Sequence, residues 1–154
     1  MSNLNALSVA IEAATRKRDE AQKLVRSAVA AEQAADAQLH QLEGYADETQ
    51  ARWGVKADAT MQPEVMYHHY QFMDRLRHAS SIQASVVSEQ SGRVRAAQSA
   101  LLQAELRLSS LRKVIDKRRH DLALLQMRRD QKQTDERAAL QYRGAGQGSQ
   151  GQEY

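Results

Sequence analysis

One stretch of this chain constrains its fold more than any other. From Glu64 to Gln141 there is no proline, and Gly92 is the only glycine. A helix over that stretch would span roughly 115 Å at about 1.5 Å per residue. Helices in compact domains average about three turns, so the sequence predicts an extended helical protein rather than a globular core.

The apolar residues of this stretch recur at alternating spacings of three and four, which is typical of a coiled coil. The regular series is interrupted at Arg118 and consists of Val94, Ala97, Leu101, Ala104, Leu108, Leu111, Ile115, Leu122 and Leu125. An earlier series follows the same rule, displaced by one residue around Ser91 and Gly92, and consists of Val65, Phe72, Leu76, Ala79 and Val86. The stretch therefore predicts one partner helix along most of its length.

The N-terminal half of the chain supplies a matching series. Its positions are Leu4, Leu7, Ile11, Ala14, Arg18, Ala21, Val25, Ala28, Glu32, Ala35, Leu39, Leu42, Ala46, Thr49 and Trp53. Only Arg18, Glu32 and Thr49 are not apolar. Because alanine recurs in this series, two backbones can approach closely but little apolar area is buried at each contact. We expect a pairing of defined geometry and modest stability.

A short connection separates the two helical stretches. Gly54 suits a helix C-cap, and Pro63 suits the first turn of the next helix, where its missing N–H costs nothing. Short connections make helices antiparallel neighbours. The sequence thus predicts an all-α fold, a long antiparallel two-helix coiled-coil hairpin over residues 1–143. Helix one covers about 3–53, the turn 54–61 and helix two about 62–141, with a disordered tail over 144–154.

The second helix is longer than the first and should overhang it. Folding about Asp58 places Leu4 opposite Lys113, which leaves residues 114–141 without a partner in the chain. Apolar residues nevertheless continue on this overhang as Ile115, Leu122, Leu124, Leu125 and Met127. An unpaired apolar stripe on a helix indicates a surface for another protein.

Charge is unevenly distributed along the sequence. Residues 107–143 carry eleven Lys and Arg against five Asp and Glu, whereas residues 32–66 carry seven acidic residues against Arg52 and Lys56. The terminal end of the hairpin should be basic and the turn end acidic. Such a field can orient a protein in a complementary site.

The sequence offers little to support catalysis or cofactor binding. Cysteine is absent, and His68 and His69 point about 100° apart on a helix, so we expect no metal site. No glycine-rich phosphate loop or catalytic triad pattern occurs, and we expect no enzyme activity and no cofactor. No apolar run is long enough to span a bilayer, so no membrane insertion is expected.

Three short segments, in order, resemble the flagellar FliJ protein family of bacterial type III export. They are Gln38-Leu39 with Leu42 and Tyr45; Tyr70-Gln71-Phe72 with Leu76 and Ala79; and the run from Arg128 to Ala138, Arg-Arg-Asp-Gln-Lys-Gln-Thr-Asp-Glu-Arg-Ala. The last is similar to the family's Arg-x-Asp-Gln-Lys-x-x-Asp-Glu-x-Ala ending. The similarity extends from about Leu4 to Ala139.

The resemblance implies a stalk-like component that lacks enzyme activity and supports flagellum assembly. Its expected partners are the hexameric export ATPase (FliI), the cytoplasmic domain of the export-gate protein FlhA, and export chaperones. It implies a cytoplasmic location, peripheral to the inner membrane at the export apparatus. The family's gate contact maps onto Gln38, Leu42, Tyr45, Phe72, Leu76 and Ala79, while two family positions differ here, at Thr49 and Gln83. Four of the mapped residues also lie in or beside the predicted helix interface, so they could pack internally instead.

The family places the terminal end of the hairpin inside the ATPase ring. The overhang residues that suit this contact are Ile115, Arg118, Arg119, Leu122, Leu125, Arg128, Arg129 and Lys132. Two alternatives remain at this stage. One is the equivalent stalk of a type III injectisome. The other is a basic coiled coil that binds nucleic acid or acts as a spacer, although Asp116, Asp121 and Asp130 alternate with the arginines that would contact phosphates.

Overall fold

The computed structural model describes residues 2–56 and 62–148, with side chains over 3–53 and 62–146. Helix α1 runs from Ser2–Lys56 and helix α2 from Pro63–Gly148. The two helices pack against each other, and the described residues contain no strand. Paired contacts run in opposite directions along the two helices, from Trp53–His69 to Tyr45–Phe72 to Gln38–Gln83. The predicted antiparallel hairpin is confirmed.

The buried face of α1 is the predicted one. All fifteen positions from Leu4 to Trp53 are buried or half-buried, and Ala14, Ala21 and Ala35 are the most enclosed. We label these positions a and d in the heptad convention, with Leu39 at a and Leu42 at d. Arg18, Glu32 and Thr49 occupy core positions despite their polarity, since the regular spacing carries them onto the same face.

The buried face of α2 differs from the prediction in its first half. Val65 and Phe72 are exposed, and no displacement occurs at Ser91 and Gly92. Instead a single alternation of three and four connects the shielded positions, which are His69, Met73, Leu76, Ser80, Gln83, Val87, Gln90, Val94, Ala97, Leu101, Ala104, Leu108, Leu111 and Ile115. The predicted series was wrong here because four of these core residues are polar. A search for regularly spaced apolar residues therefore selected neighbouring residues instead.

The helix ends also refine the prediction. Helix α1 continues through Gly54 to Lys56, so Gly54 is not the C-cap. Pro63 does open α2, and the carbonyl of Gln62 accepts the first helical hydrogen bonds from the amides of Val65 and Met66, at 3.1 and 3.3 Å. Helix α2 continues to Gly148, beyond the predicted end at 141. The predicted turn around Asp58 and residues 149–154 of the predicted tail lie outside the described residues.

The chain divides into two compact units. One unit is Ala14–Arg107, which contains the paired helices next to the turn. The other combines Met1–Ala13 with Leu108–Tyr154. In this second unit Ile115 is only 5% exposed, and a single helix cannot bury an isoleucine, so the first turns of α1 cover it. Leu4 lies near Arg118 and Leu122 rather than Lys113. The expectation that α2 is unpaired from Val114 is therefore wrong, and the pairing extends two to three turns further.

Candidate partner-binding surfaces

In the unit Ala14–Arg107, one side of the hairpin carries four of the six predicted gate residues. We call it the aromatic flank, and define it as Gln38, Tyr45, Phe72 and Ala79. All four occupy g positions, which border the helix interface on one side. The rings of Tyr45 and Phe72 meet edge to face, with centroids 6.0 Å apart. The fold thus brings together residues that are distant in sequence.

The other two predicted gate residues lie beneath this flank. Leu76 is 7% exposed and belongs to the helix interface, whereas Phe72 is 39% exposed. Leu42 is half-buried at its d position. Leu76 is therefore a core residue, and Phe72 retains an open face that another protein can contact.

A polar contact across the interface was missed by sequence reasoning. The amide nitrogen of Gln83 donates hydrogen bonds to the backbone oxygen of Ala35 at 2.9 Å and to Oε1 of Gln38 at 3.2 Å. Counting back from Leu101 in steps of three and four would have identified Gln83 as a core position. Because glutamine is polar, the search for apolar residues did not select Gln83.

A second missed contact lies nearer the turn. The imidazole of His69 is 8% exposed and stacks on the indole of Trp53, with centroids 4.0 Å apart and planes inclined by 30°. Within the described side chains, Nδ1 of His69 is buried and makes no hydrogen bond. The stacked rings are a contact between α1 and α2 near the turn.

The flank opposite the aromatic one is acidic. Glu43, Asp47 and Gln50 of α1 and Arg77 of α2 border a shallow groove floored by Ala46, Met73 and Ser80. Arg77 lies 3.8 Å from Asp74 on its own helix, and both side chains are well exposed. A surface ion pair of this kind contributes little to stability.

On helix α1, His40 has a raised pKa. Its Nδ1 bonds to the backbone oxygen of Asp36 at 2.9 Å, and the Asp36 carboxylate lies 3.6 Å away. The hydrogen bond to the carbonyl, followed by the charge of Asp36, raises the pKa of His40 above its ordinary value of 6.5. Both interactions favour the protonated imidazole.

We expect this pKa shift to give a small pH dependence of stability. Because the folded-state pKa is the higher one, the stabilising effect is complete below the ordinary value and is lost as pH rises through the raised value. The melting temperatures of wild type and His40→Gln should therefore differ more at about pH 5.5 than at about pH 8. An NMR titration of the His40 ring with a midpoint at or below 6.5 would contradict the assignment.

In the other unit, the start of α1 and the middle of α2 border a groove of about 260 Å³. Its lining combines polar and apolar side chains, namely Asn3, Leu4, Arg118, Asp121, Leu122 and Leu125. Leu122 and Leu125 are about half exposed, at 49% and 48%. Three of the residues predicted to bind the ATPase ring therefore lie together on this groove.

Beyond this groove α2 remains helical but uncovered. Every described side chain from Asp116 to Gly146 is exposed. We call residues 127–148 the helical extension. Arg128 and Lys132 share one shallow surface with Asp135, Glu136 and Ala139, and Arg129 is exposed beside them. The core positions of the heptad here are Arg129, Lys132, Glu136 and Ala139, so the apolar interface ends at Leu125.

The described residues show no arrangement suited to metal binding. No three or more His, Asp or Glu side chains among them converge on a point where a cation could bind. Neither α1 nor the described part of α2 has a segment apolar enough to cross a bilayer.

These features define a class of protein, a two-helix antiparallel coiled coil whose second helix carries an uncovered basic extension. The family described as flagellar FliJ protein matches residues 3–147, nearly the whole chain. The chain belongs to the flagellar FliJ protein family. No curated protein and no solved structure matches it.

Family membership defines the role in outline. The protein has a flagellar export-related role, in the context of type III secretion, within a family of components that are not enzymes. Its interactions lie within the flagellar export apparatus.

Proposed function

We propose that this protein couples the export ATPase to the export gate, and that its terminal unit binds the hexameric ATPase (FliI). The observation that carries the proposal is the helical extension, whose described side chains over 127–146 are all exposed. An isolated helix gains little stability in water without a packing partner. A ring lumen that presents apolar and acidic groups would complement its exposed Met127 and Leu140 and its arginines.

The proposed ATPase contact begins at the groove between the start of α1 and the middle of α2, which we call the terminal groove. Arg118, Leu122 and Leu125 are accessible there, and Arg119, Arg128, Arg129 and Lys132 extend the basic surface along α2. Ile115 is left out of this contact because it is already buried. In this proposal the protein promotes assembly of the ATPase ring and has no catalytic activity itself.

The aromatic flank is the proposed site for the cytoplasmic domain of FlhA. The exposed edge of the Tyr45–Phe72 pair offers aromatic surface to a partner. Because these side chains have few rotatable bonds, little conformational entropy is lost when a partner binds them, and aromatic residues are common in binding hot spots. Leu42 and Leu76 support this pair from the core. Export chaperones are further proposed partners within the same apparatus, and the protein acts at the inner membrane through these contacts.

The family assignment supports the flagellar pathway over an injectisome stalk. It also gives no support to the nucleic-acid-binding alternative. The acidic residues between the arginines, Asp116, Asp121 and Asp130, would oppose phosphate binding.

Charge reversal in the extension tests the ATPase contact. We expect Arg128→Glu with Arg129→Glu to weaken binding to the purified ATPase about tenfold at low salt, and less at high salt, because exposed charges are screened. The dissociation constant can be measured by fluorescence anisotropy over a salt series.

A matched control carries the same charge change elsewhere on α2. Arg95 and Arg107 are also exposed, so Arg95→Glu with Arg107→Glu should leave the affinity near the wild-type value. Equal weakening by both double variants would indicate a nonspecific charge effect and contradict the proposed contact.

A further inference from the structure

The d positions of α1 contribute little to setting its register with α2. Its d positions over three heptads are all alanine, at Ala14, Ala21, Ala28 and Ala35. A shift of α2 by seven residues would place alanine opposite the same α2 positions again over much of this span. Repeated identical contacts discriminate poorly between registers.

Gln83 breaks this repetition. Its side chain reaches across the interface to the Ala35 carbonyl and to Oε1 of Gln38. A polar residue at a core position specifies register when only one alignment satisfies it, because leaving even a partly shielded amide without partners costs free energy.

The two displaced registers satisfy Gln83 less well. A shift of one heptad in one direction brings Ala28 and Ala31 in place of Ala35 and Gln38, and the side-chain acceptor is lost. A shift in the other direction brings Leu42 and Tyr45, whose bulk blocks access to the backbone carbonyl. Of these three alignments, only the observed one places both a small residue at the position of Ala35 and a side-chain acceptor at the position of Gln38.

We propose that Gln83 is a positioning residue that sets the register of the hairpin, and so aligns Tyr45 with Phe72 on the aromatic flank. The residue does not itself need to touch a partner. This effect on register stands without the proposed function, whereas its consequence for gate binding rests on that function.

The absence of cysteine from the sequence permits a direct test by disulfide cross-linking. Tyr45→Cys is combined in turn with Phe72→Cys, Ala79→Cys and Val65→Cys, which all lie at g positions of α2 one heptad apart. The first pair reports the observed register and the other two report the displaced registers. None of these changes affects Gln83 or its acceptor Gln38.

With Gln83 present, we expect cross-linking chiefly through positions 45 and 72. Gln83→Leu in the same three backgrounds should lower the preference for that pair about tenfold, the effect of losing one to two net hydrogen bonds. Helicity should persist, because leucine at a core position favours the coiled coil. Gln38→Leu, which removes only the side-chain acceptor, should lower the preference by a smaller factor.

Unchanged selectivity for positions 45 and 72 in Gln83→Leu would overturn the proposal. Gate binding is then measured with Gln83→Leu in the chain without introduced cysteines. Lost selectivity with weakened gate binding supports both proposals. Lost selectivity with normal gate binding supports the role of Gln83 in register and rejects the aromatic flank as the gate site.

Discussion

Deletion of residues 127–154 is expected to abolish stimulation of the export ATPase while leaving the remaining hairpin folded. Every described side chain removed by this deletion is exposed, so few contacts within the chain are lost. Changes at exposed positions away from buried features usually have small effects on stability, within about 0.5 kcal/mol for a single substitution. The melting temperature of the truncated protein should therefore remain close to that of wild type.

The position of the cut follows from the structure. The sequence placed the start of the unpaired overhang at Val114, but a deletion from there would take away Leu122 and Leu125, which line the terminal groove, and the buried Ile115. Loss of packing and loss of partner binding would then be confounded. A cut after Gln126 keeps the groove and removes the helical extension together with residues 149–154.

The measurement is ATP hydrolysis and ring assembly by the purified ATPase with increasing amounts of each variant. The matched control is a chain shortened only to residue 148, which retains the extension and should stimulate normally. Full stimulation by the chain ending at Gln126 would show that the extension is not the ATPase-binding element.

The second large effect separates Leu76 from Phe72. Leu76→Ala removes a side chain that is 7% exposed, and we expect it to cost about 2–5 kcal/mol of unfolding free energy. In a two-helix protein with an alanine-rich interface, a loss of that size is a large share of the total. The melting temperature should fall steeply.

Phe72→Ala should show the opposite pattern. Phe72 is 39% exposed, against 7% for Leu76, so a part of its ring is already in water and Phe72→Ala is expected to lower the melting temperature less than Leu76→Ala does. Affinity for the cytoplasmic domain of FlhA should fall at least tenfold, a scale typical of aromatic hot spots (about 1.4 kcal/mol or more). Tyr45→Ala should behave in the same way.

Circular dichroism melts beside direct binding measurements at a temperature where both variants are folded distinguish these outcomes. Ile82 is exposed on the same helix and lies outside the aromatic flank, so Ile82→Ala is the control for loss of an exposed apolar side chain. Normal FlhA affinity in Phe72→Ala would remove the aromatic flank from consideration as the gate site.

The sequence alone determined the class of fold and the buried face of α1. Periodicity of three and four is a local property of a helix, so it can be counted without knowledge of the partner. The fifteen positions of α1 are mostly apolar, and the spacing identified the buried face correctly despite three polar residues. The absence of proline between Glu64 and Gln141 likewise predicted a continuous α2.

The tertiary structure decided the alignment of the two helices. The sequence did not locate the turn accurately, since Gly54 is helical. If the centre of the turn moves by a few residues along the chain, the α2 residue that faces a given α1 residue changes by about twice that number. The buried face of α2 near His69, Met73 and Gln83 also depended on the partner, because polar residues become acceptable in a core only when the opposite helix offers space, stacking or an acceptor. That alignment covers Ile115, pairs Tyr45 with Phe72 and leaves the described side chains of 127–146 exposed. It depends on both helices together, so it could not be predicted from the residue pattern of either helix alone.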